Sequence, residues 1–128
     1  AVAHHLRHTY GVNPGDRVAV LADNHPQWII TFWACASIGA ICAGLNGWWN
    51  REEILHALED AEPRLLIGDR KRLARIQGDV LPFPVLCIED DFSALERGWD
   101  DATGNAPTLP DCRIAEDDAV LILYTSGT

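Results

Sequence analysis

The last four residues, Thr125, Ser126, Gly127 and Thr128, offer three hydroxyls and a glycine directly after the apolar run "AVLILY". Hydroxyls donate hydrogen bonds to anionic oxygens, and a glycine lets backbone N–H groups come close to a ligand. Successive amides in a turn after a strand form an anion-binding nest. The chemistry this composition suits is the cradling of phosphate. It is neither a Walker A loop nor a dinucleotide fingerprint, because neither G-x-x-x-x-G-K-[ST] nor G-x-G-x-x-G occurs. Ser126 does not sit in a nucleophile elbow, since Tyr124 and Thr128 occupy the positions where that motif needs glycine. The competing reading of the four residues is a plain polar turn.

Other residues of chemical interest are scattered. His4 and His8 are one helical turn apart, a spacing that suits metal, but no third ligand is apparent and a solvent-facing helix start is the simpler reading. No metal site is expected. Cys35, Cys42, Cys87 and Cys112 form no C-x-x-C pair, so they read as small apolar residues in a reducing compartment. The basic run "DRKRLAR" (69–75) suits a phosphorylated ligand such as coenzyme A, or a solvated face. Trp48 and Trp49 stand together in a loop, where they could touch lipid, a partner or the edge of a sheet.

The elements that position these residues alternate. Helical patterns at 1–10, 25–39, 51–62, 70–77 and 92–98 separate apolar strand patterns at 17–22, 40–45, 64–68, 84–89 and 119–126. Asn24 or His25 can cap the second helix, with Pro26 in its first turn, and Gly39 stops it. Asn50 and Glu53 have the spacing of a capping box, and Pro63 ends the third helix. Segment 99–118 is looser. Continuous apolar strands alternating with helices predict a doubly wound, mainly parallel sheet with helices on both faces and right-handed crossovers. In such sheets ligands lie beyond the carboxyl ends of the strands, which is where "TSGT" falls.

Composition narrows the function classes. The chain has 128 residues, about one domain's worth. Ten Lys+Arg against nineteen Asp+Glu leave a net charge of −9, which repels phosphate backbones and argues against nucleic-acid binding. The acids at 89–91, 100–101 and 116–118 read as solvated surface. The uncharged stretch from Trp28 to Leu45 approaches the minimum length of a spanning helix. Pro26, Gly39 and Gly44 divide it into a buried helix and a short strand instead. The chain opens without Met and without a signal-peptide core, which suggests a cut at this end, and its unpaired cysteines point to a cytoplasmic setting.

Four segments carry a resemblance. "DDAVLILYTSGT" resembles the start of the phosphate-loop motif of the adenylate-forming, AMP-binding enzymes, which runs Thr-Ser-Gly-Thr-Thr-Gly before a Pro-Lys-Gly segment. "GVNPGDRVAVLADNHPQWIITFWACASIGAICAGLN" is similar to that superfamily's first strand, N-x-P-E/Q-W helix and small-residue segment, and "REEILHALEDAEPRLLIGD" to its next helix and strand. The family often has Val-Pro-Leu-Asn where this chain has Ala43-Gly44-Leu45-Asn46, and the following "GWW" resembles a variant among acyl-CoA ligases. The resemblance implies an N-terminal subdomain, residues 1–128, of an acyl-CoA synthetase, with the phosphate loop beginning at 125–128. It implies that Thr125, Ser126, Gly127 and Thr128 hold ATP phosphates. It implies ATP, Mg²⁺ and coenzyme A as substrates or cofactors of the intact parent, and a carboxylic acid, fatty in class, as the group activated. The motif lysine, the ribose-binding aspartate and the catalytic lysine of the family fall outside this sequence, so the 128-residue chain alone is expected to be inactive and to bind none of these tightly. Its partners are expected to be the rest of the parent, with peripheral lipid contact through Trp48 and Trp49 and self-association as further expectations. A non-catalytic, flavodoxin-like module binding a phosphorylated ligand or a protein partner is the alternative.

Overall fold

Val18 and Val20 point to one side of their strand and Ala19 and Leu21 to the other, and all four are fully buried. The same alternation separates Leu65 and Ile67 from Leu66 in the neighbouring strand. A strand buried on both faces needs cover on both, and the chain supplies it. The computed structural model describes residues 1–98 and 108–125. Its strands β1 (Arg17–Leu21), β2 (Ile41–Gly44), β3 (Leu65–Gly68), β4 (Val85–Cys87) and β5 (Leu121–Leu123) form one sheet in the order β4-β3-β1-β2-β5. Every pairing is parallel, as the alternation with helices required.

Helices α1 (Val2–His8), α2 (Pro26–Ser37) and α5 (Ile88–Glu96) cover one face, through Leu6, Cys35, Ile38, Phe92 and Leu95. Helix α3 (Arg51–Ala61), α4 (Arg70–Leu73) and the 3-10 turn Ala74–Ile76 cover the other, through Ile54, Leu58, Leu73 and Ile76. Each fully buried Leu, Ile or Phe side chain contributes about 1.5–3 kcal/mol relative to exposure. The two clusters therefore carry most of the folding energy.

The helix boundaries follow from caps. Asn50 accepts from the Glu53 N–H at 3.0 Å while the Glu53 carboxylate accepts from the Asn50 N–H at 2.8 Å, the reciprocal pair read from the sequence. Arg17, at the start of β1, donates to the last carbonyls of α3, Ala61 O at 2.7 Å and Glu62 O at 3.1 Å. Gly39 ends the second helix region at φ +71, a left-handed geometry that a side chain disfavours. His25, not Asn24, occupies the cap position of α2, and its side chain makes no capping bond.

Three local expectations are corrected. The fourth strand stops at Cys87, and Ile88 and Glu89 open α5, so that helix starts four residues before the expected 92. Its first turn carries Glu89, Asp90 and Asp91, acids that favour a helix N-terminus, and Asp91 accepts from the Cys87 N–H at 2.8 Å. The "EDD" at 89–91 is a helix start that still faces solvent, with Glu89 and Asp90 exposed, whereas 100–101 lies outside the described residues. The expected helix 70–77 is one α-turn followed by a 3-10 turn. No helix among the described residues is long and apolar enough to cross a membrane.

Candidate functional site

Helix α2 leaves β1 toward one face, while α3 and α4 leave the flanking β2 and β3 toward the other. The chain therefore diverges at the carboxyl end of β1, the kind of place where open parallel sheets hold ligands. Here the protein's own side chains fill that opening. Asp69, just after β3, and Arg72, in α4, are 2% and 6% exposed. The Arg72 guanidinium donates to the Asp69 carboxylate at 2.7 Å and to the carbonyl of Gly47, in the loop after β2, at 3.2 Å. The same carboxylate accepts from the backbone N–H of Asp23 at 2.9 Å and of Arg72 at 2.8 Å. One ion pair thus ties together the loops that leave β1, β2 and β3.

Burial opposes charge on Asp69, but the two amides and the guanidinium outweigh it and hold the carboxyl below its usual range. The Asp23 carboxylate approaches Arg72 at 3.4 Å from the solvent side. Gly47 makes the approach possible, since a Cβ there would stand 2.5 Å from Arg72 Nε. The basic run 69–75 is therefore not a uniformly solvated face. Arg72 turns inward, Arg75 donates to Gly47 O at 2.7 Å and Trp49 O at 2.8 Å, and only Arg70 and Lys71 stay exposed, Arg70 pairing with Asp90. Sequence reasoning missed this network. Its one signal was Asp69 itself, a helix-capping residue between an apolar strand and a basic turn.

The predicted phosphate loop lies at the carboxyl end of β5, one place along the sheet from β2. Thr125 is exposed there, two residues beyond the strand. Ser126, Gly127 and Thr128 lie outside the described residues. The residue before Thr125 is firmly placed. The Tyr124 hydroxyl lies 3.1 Å from the Ala57 carbonyl and 3.2 Å from an Asp60 carboxylate oxygen, both on α3. Burial first, and then the hydrogen bond to Asp60 and its charge, push its pKa up. Its ring meets Trp49 edge to face, with centroids 5.3 Å apart.

The two tryptophans divide. Trp49 packs against the second cluster and covers the carboxyl end of the sheet, whereas Trp48 is 88% exposed. His4 and His8 lie side by side on the surface, with centroids 4.4 Å apart and rings tilted by 46°, and among the described residues no group of three metal-binding side chains includes them. All four cysteines are free. Cys35 and Cys42 are buried, and Cys87 and Cys112 half-buried.

Comparison with known proteins agrees with the fold. The feruloyl-CoA synthase of Amycolatopsis sp is 34% identical over 122 residues, covering 92% of this chain and 22% of that protein. The 3-hydroxybenzoate–CoA/4-hydroxybenzoate–CoA ligase of Thauera aromatica is 30% identical over 128 residues, covering 93% of this chain and 24% of that protein. The chain thus spans about a quarter of the length of these relatives. Among solved structures, the anthranilate CoA ligase AuaEII in complex with anthranoyl-AMP superposes with a TM-score of 0.81 at 25% identity, over 98% of this chain and 24% of that one. The inhibitor-bound N-terminal domain of FACL13 from Mycobacterium tuberculosis shares the fold, with a TM-score of 0.80 at 22% identity over 99% of this chain and 32% of that one. The family described as "AMP-binding enzyme" matches residues 1–128, the whole of the sequence, and the chain belongs to that family.

Proposed function

We propose that the longer protein carrying this chain activates a carboxylic acid with ATP and passes the acyl group to coenzyme A. The carboxylate attacks the α-phosphorus of ATP and expels pyrophosphate. The thiol of coenzyme A then displaces AMP to give the thioester. Residues 1–128 form a single α/β subdomain in this reading, and Thr125, Ser126, Gly127 and Thr128 begin the loop that holds the ATP phosphates. The observation that carries it is that Thr125, two residues beyond β5, stands exposed at the carboxyl edge of a parallel sheet in a chain of this family. An exposed hydroxyl and the amides after it are suited to developing phosphoryl charge. Nothing in the described residues offers a set of ligands for Mg²⁺, which in this reading arrives with ATP and is held elsewhere.

The relatives are named for feruloyl, hydroxybenzoate and crotonobetaine or carnitine thioesters, and one structural neighbour is a fatty acyl CoA synthetase. A carboxylate converted to a thioester is common to these names and supports the reading. A fatty acid and an aromatic acid are the two substrates to try first. The 128-residue chain alone is inactive in this reading, because positioning of the reacting groups accounts for about 7–11 kcal/mol of such barriers and most of those groups lie elsewhere. A cytoplasmic setting is part of the proposal, supported by four free thiols. So are peripheral lipid contact through exposed Trp48 and self-association through the apolar outer stripe of α2, Ile29 and Trp33.

The test is acid-dependent exchange of pyrophosphate into ATP by the longer protein. Thr125→Ala, Ser126→Ala and Thr128→Ala are each expected to lower the exchange rate roughly tenfold to a hundredfold, the worth of one hydrogen bond to a charged oxygen. Melting temperatures are expected to stay near the wild type. Absence of exchange with every acid tried overturns the reading, and full exchange by all three variants overturns the loop assignment.

A further inference from the structure

The ladder between β2 and β5 ends at the pair Gly44–Leu123. Past Leu123 the course of the chain into Thr125 is set by the side chain of Tyr124, whose hydroxyl reaches α3 and whose ring rests on Trp49. The Trp49 backbone is held on both sides. Its N–H donates to Asn46 O at 3.2 Å, its carbonyl accepts from Arg75 at 2.8 Å, and the next residue, Asn50, is locked in the capping box of α3. The loop before it is closed by the Trp48 N–H donating to the Asn46 side chain at 2.9 Å. From the other side Arg75 and Arg72 both hold the Gly47 carbonyl, and Arg72 is anchored by the buried Asp69. A rigid path of contacts therefore runs from α4 through the loop after β2 to the residue that precedes Thr125.

We propose that Trp49, held by Arg75, is a positioning residue that fixes the entry of the loop starting at Thr125 by way of the Tyr124 ring. Its link to catalysis rests on the function proposed above, whereas the positioning itself does not. An edge-to-face aromatic pair adds orientation that an aliphatic filler of equal area lacks. Loss of the ring removes one of the two supports of Tyr124, leaving the hydroxyl contacts to α3, and so loosens the direction in which Thr125 leaves the sheet. In the function proposed above the ATP phosphates rest on that loop directly, so ATP binding feels this change first.

The experiment uses the longer protein with Trp49→Ala, Trp49→Phe and Arg75→Gln. Hydrogen exchange of the peptide spanning 121–128, read without nucleotide, is expected to quicken by about twofold to tenfold in Trp49→Ala, the range set by one aromatic pair. Arg75→Gln is expected to quicken it in the same direction, and Trp49→Phe to restore wild-type exchange. Unchanged exchange in Trp49→Ala overturns the proposal. If that variant does not fold, unchanged exchange in Arg75→Gln overturns it equally. In pyrophosphate exchange, KM for ATP is expected to rise severalfold in Trp49→Ala with KM for the acid unmoved. Equal rises in both overturn the link to the loop. A wild-type protein without exchange activity refutes the proposed function, and the hydrogen-exchange arm still decides the positioning.

Discussion

Arg72→Met removes the charge that neutralises Asp69 and leaves a side chain of similar reach. The bond lost is a 2.7 Å ion pair between groups 6% and 2% exposed. Deleting one partner of such a buried pair costs about 3–5 kcal/mol, because a desolvated charge is left behind. Asp69 keeps two amide donors, at 2.9 and 2.8 Å, which places the expected loss near ~3 kcal/mol. Asp23 adds little to the total, since its side chain is 67% exposed and 3.4 Å from the guanidinium. A domain stable by roughly 5–15 kcal/mol would lose a large part of its margin. The pH dependence gives a second signature. In the wild type the Asp69 pKa is depressed, so its contribution is present above the ordinary aspartate value of about 4 and is lost as pH falls through the depressed one. Without the guanidinium the ionised form is disfavoured and the folded-state pKa rises. The deficit of Arg72→Met should therefore be full at neutral pH and shrink as pH falls toward 4. The assay is urea unfolding of the 128-residue chain, followed by tryptophan fluorescence, for the wild type, Arg72→Met, Asp69→Asn and the double variant. Asn keeps the helix cap, so the double variant should recover about 2 kcal/mol relative to the sum of the singles. A loss below about 1 kcal/mol at neutral pH, strict additivity, or a deficit that does not change with pH would refute the buried-pair reasoning.

Four other outcomes are expected. Gly47→Ala should destabilise the chain, because its Cβ meets Arg72 Nε at 2.5 Å and displaces the guanidinium; the effect should vanish in an Arg72→Met background. Asn50→Ala should cost about 1 kcal/mol by urea unfolding, since it removes one half of a reciprocal cap and leaves the Glu53 N–H without its side-chain acceptor. Tyr124→Phe should flatten the alkaline limb of a stability–pH curve. The raised Tyr124 pKa means its contribution is present below the ordinary tyrosine value of about 10 and fades as pH climbs through the folded-state value. Thiol titration without reductant should find all four cysteines in denaturant and at most Cys87 and Cys112 in the native chain, because Cys35 and Cys42 are buried and the Cys42 hydrogen bond and burial push the Cys35 thiol up. Rapid native reaction of all four would contradict that packing.

What could be read along the chain was whatever neighbouring residues decide. Apolar runs at 17–22, 40–45 and 64–68 announced strands because a strand buried on both faces needs apolar residues at every position, whereas the run at 119–126 became only the short, largely exposed edge strand Leu121–Leu123. Asn50 and Glu53 announced a helix start because their reciprocal bonds close within four residues. The placement of Thr125 at a carboxyl end followed from the strand before it, and the expected role of 125–128 came from the family resemblance. The fourth strand was overrun because Ile88 is as apolar as a strand residue, and only the docking of α5 beneath the sheet shows that it belongs to a helix. Tertiary structure alone decided the strand order, since nothing local tells β3 to pair with β1 on the side away from β2. It alone turned Arg72 and Arg75 inward while Arg70 and Lys71 stayed in solvent. A basic run looks the same in sequence whether its side chains meet water or buried carbonyls. What separates the two cases is a partner far along the chain: Asp23 and Gly47 in one place, Trp49 and Tyr124 in another, brought together only when parallel strands align their carboxyl ends.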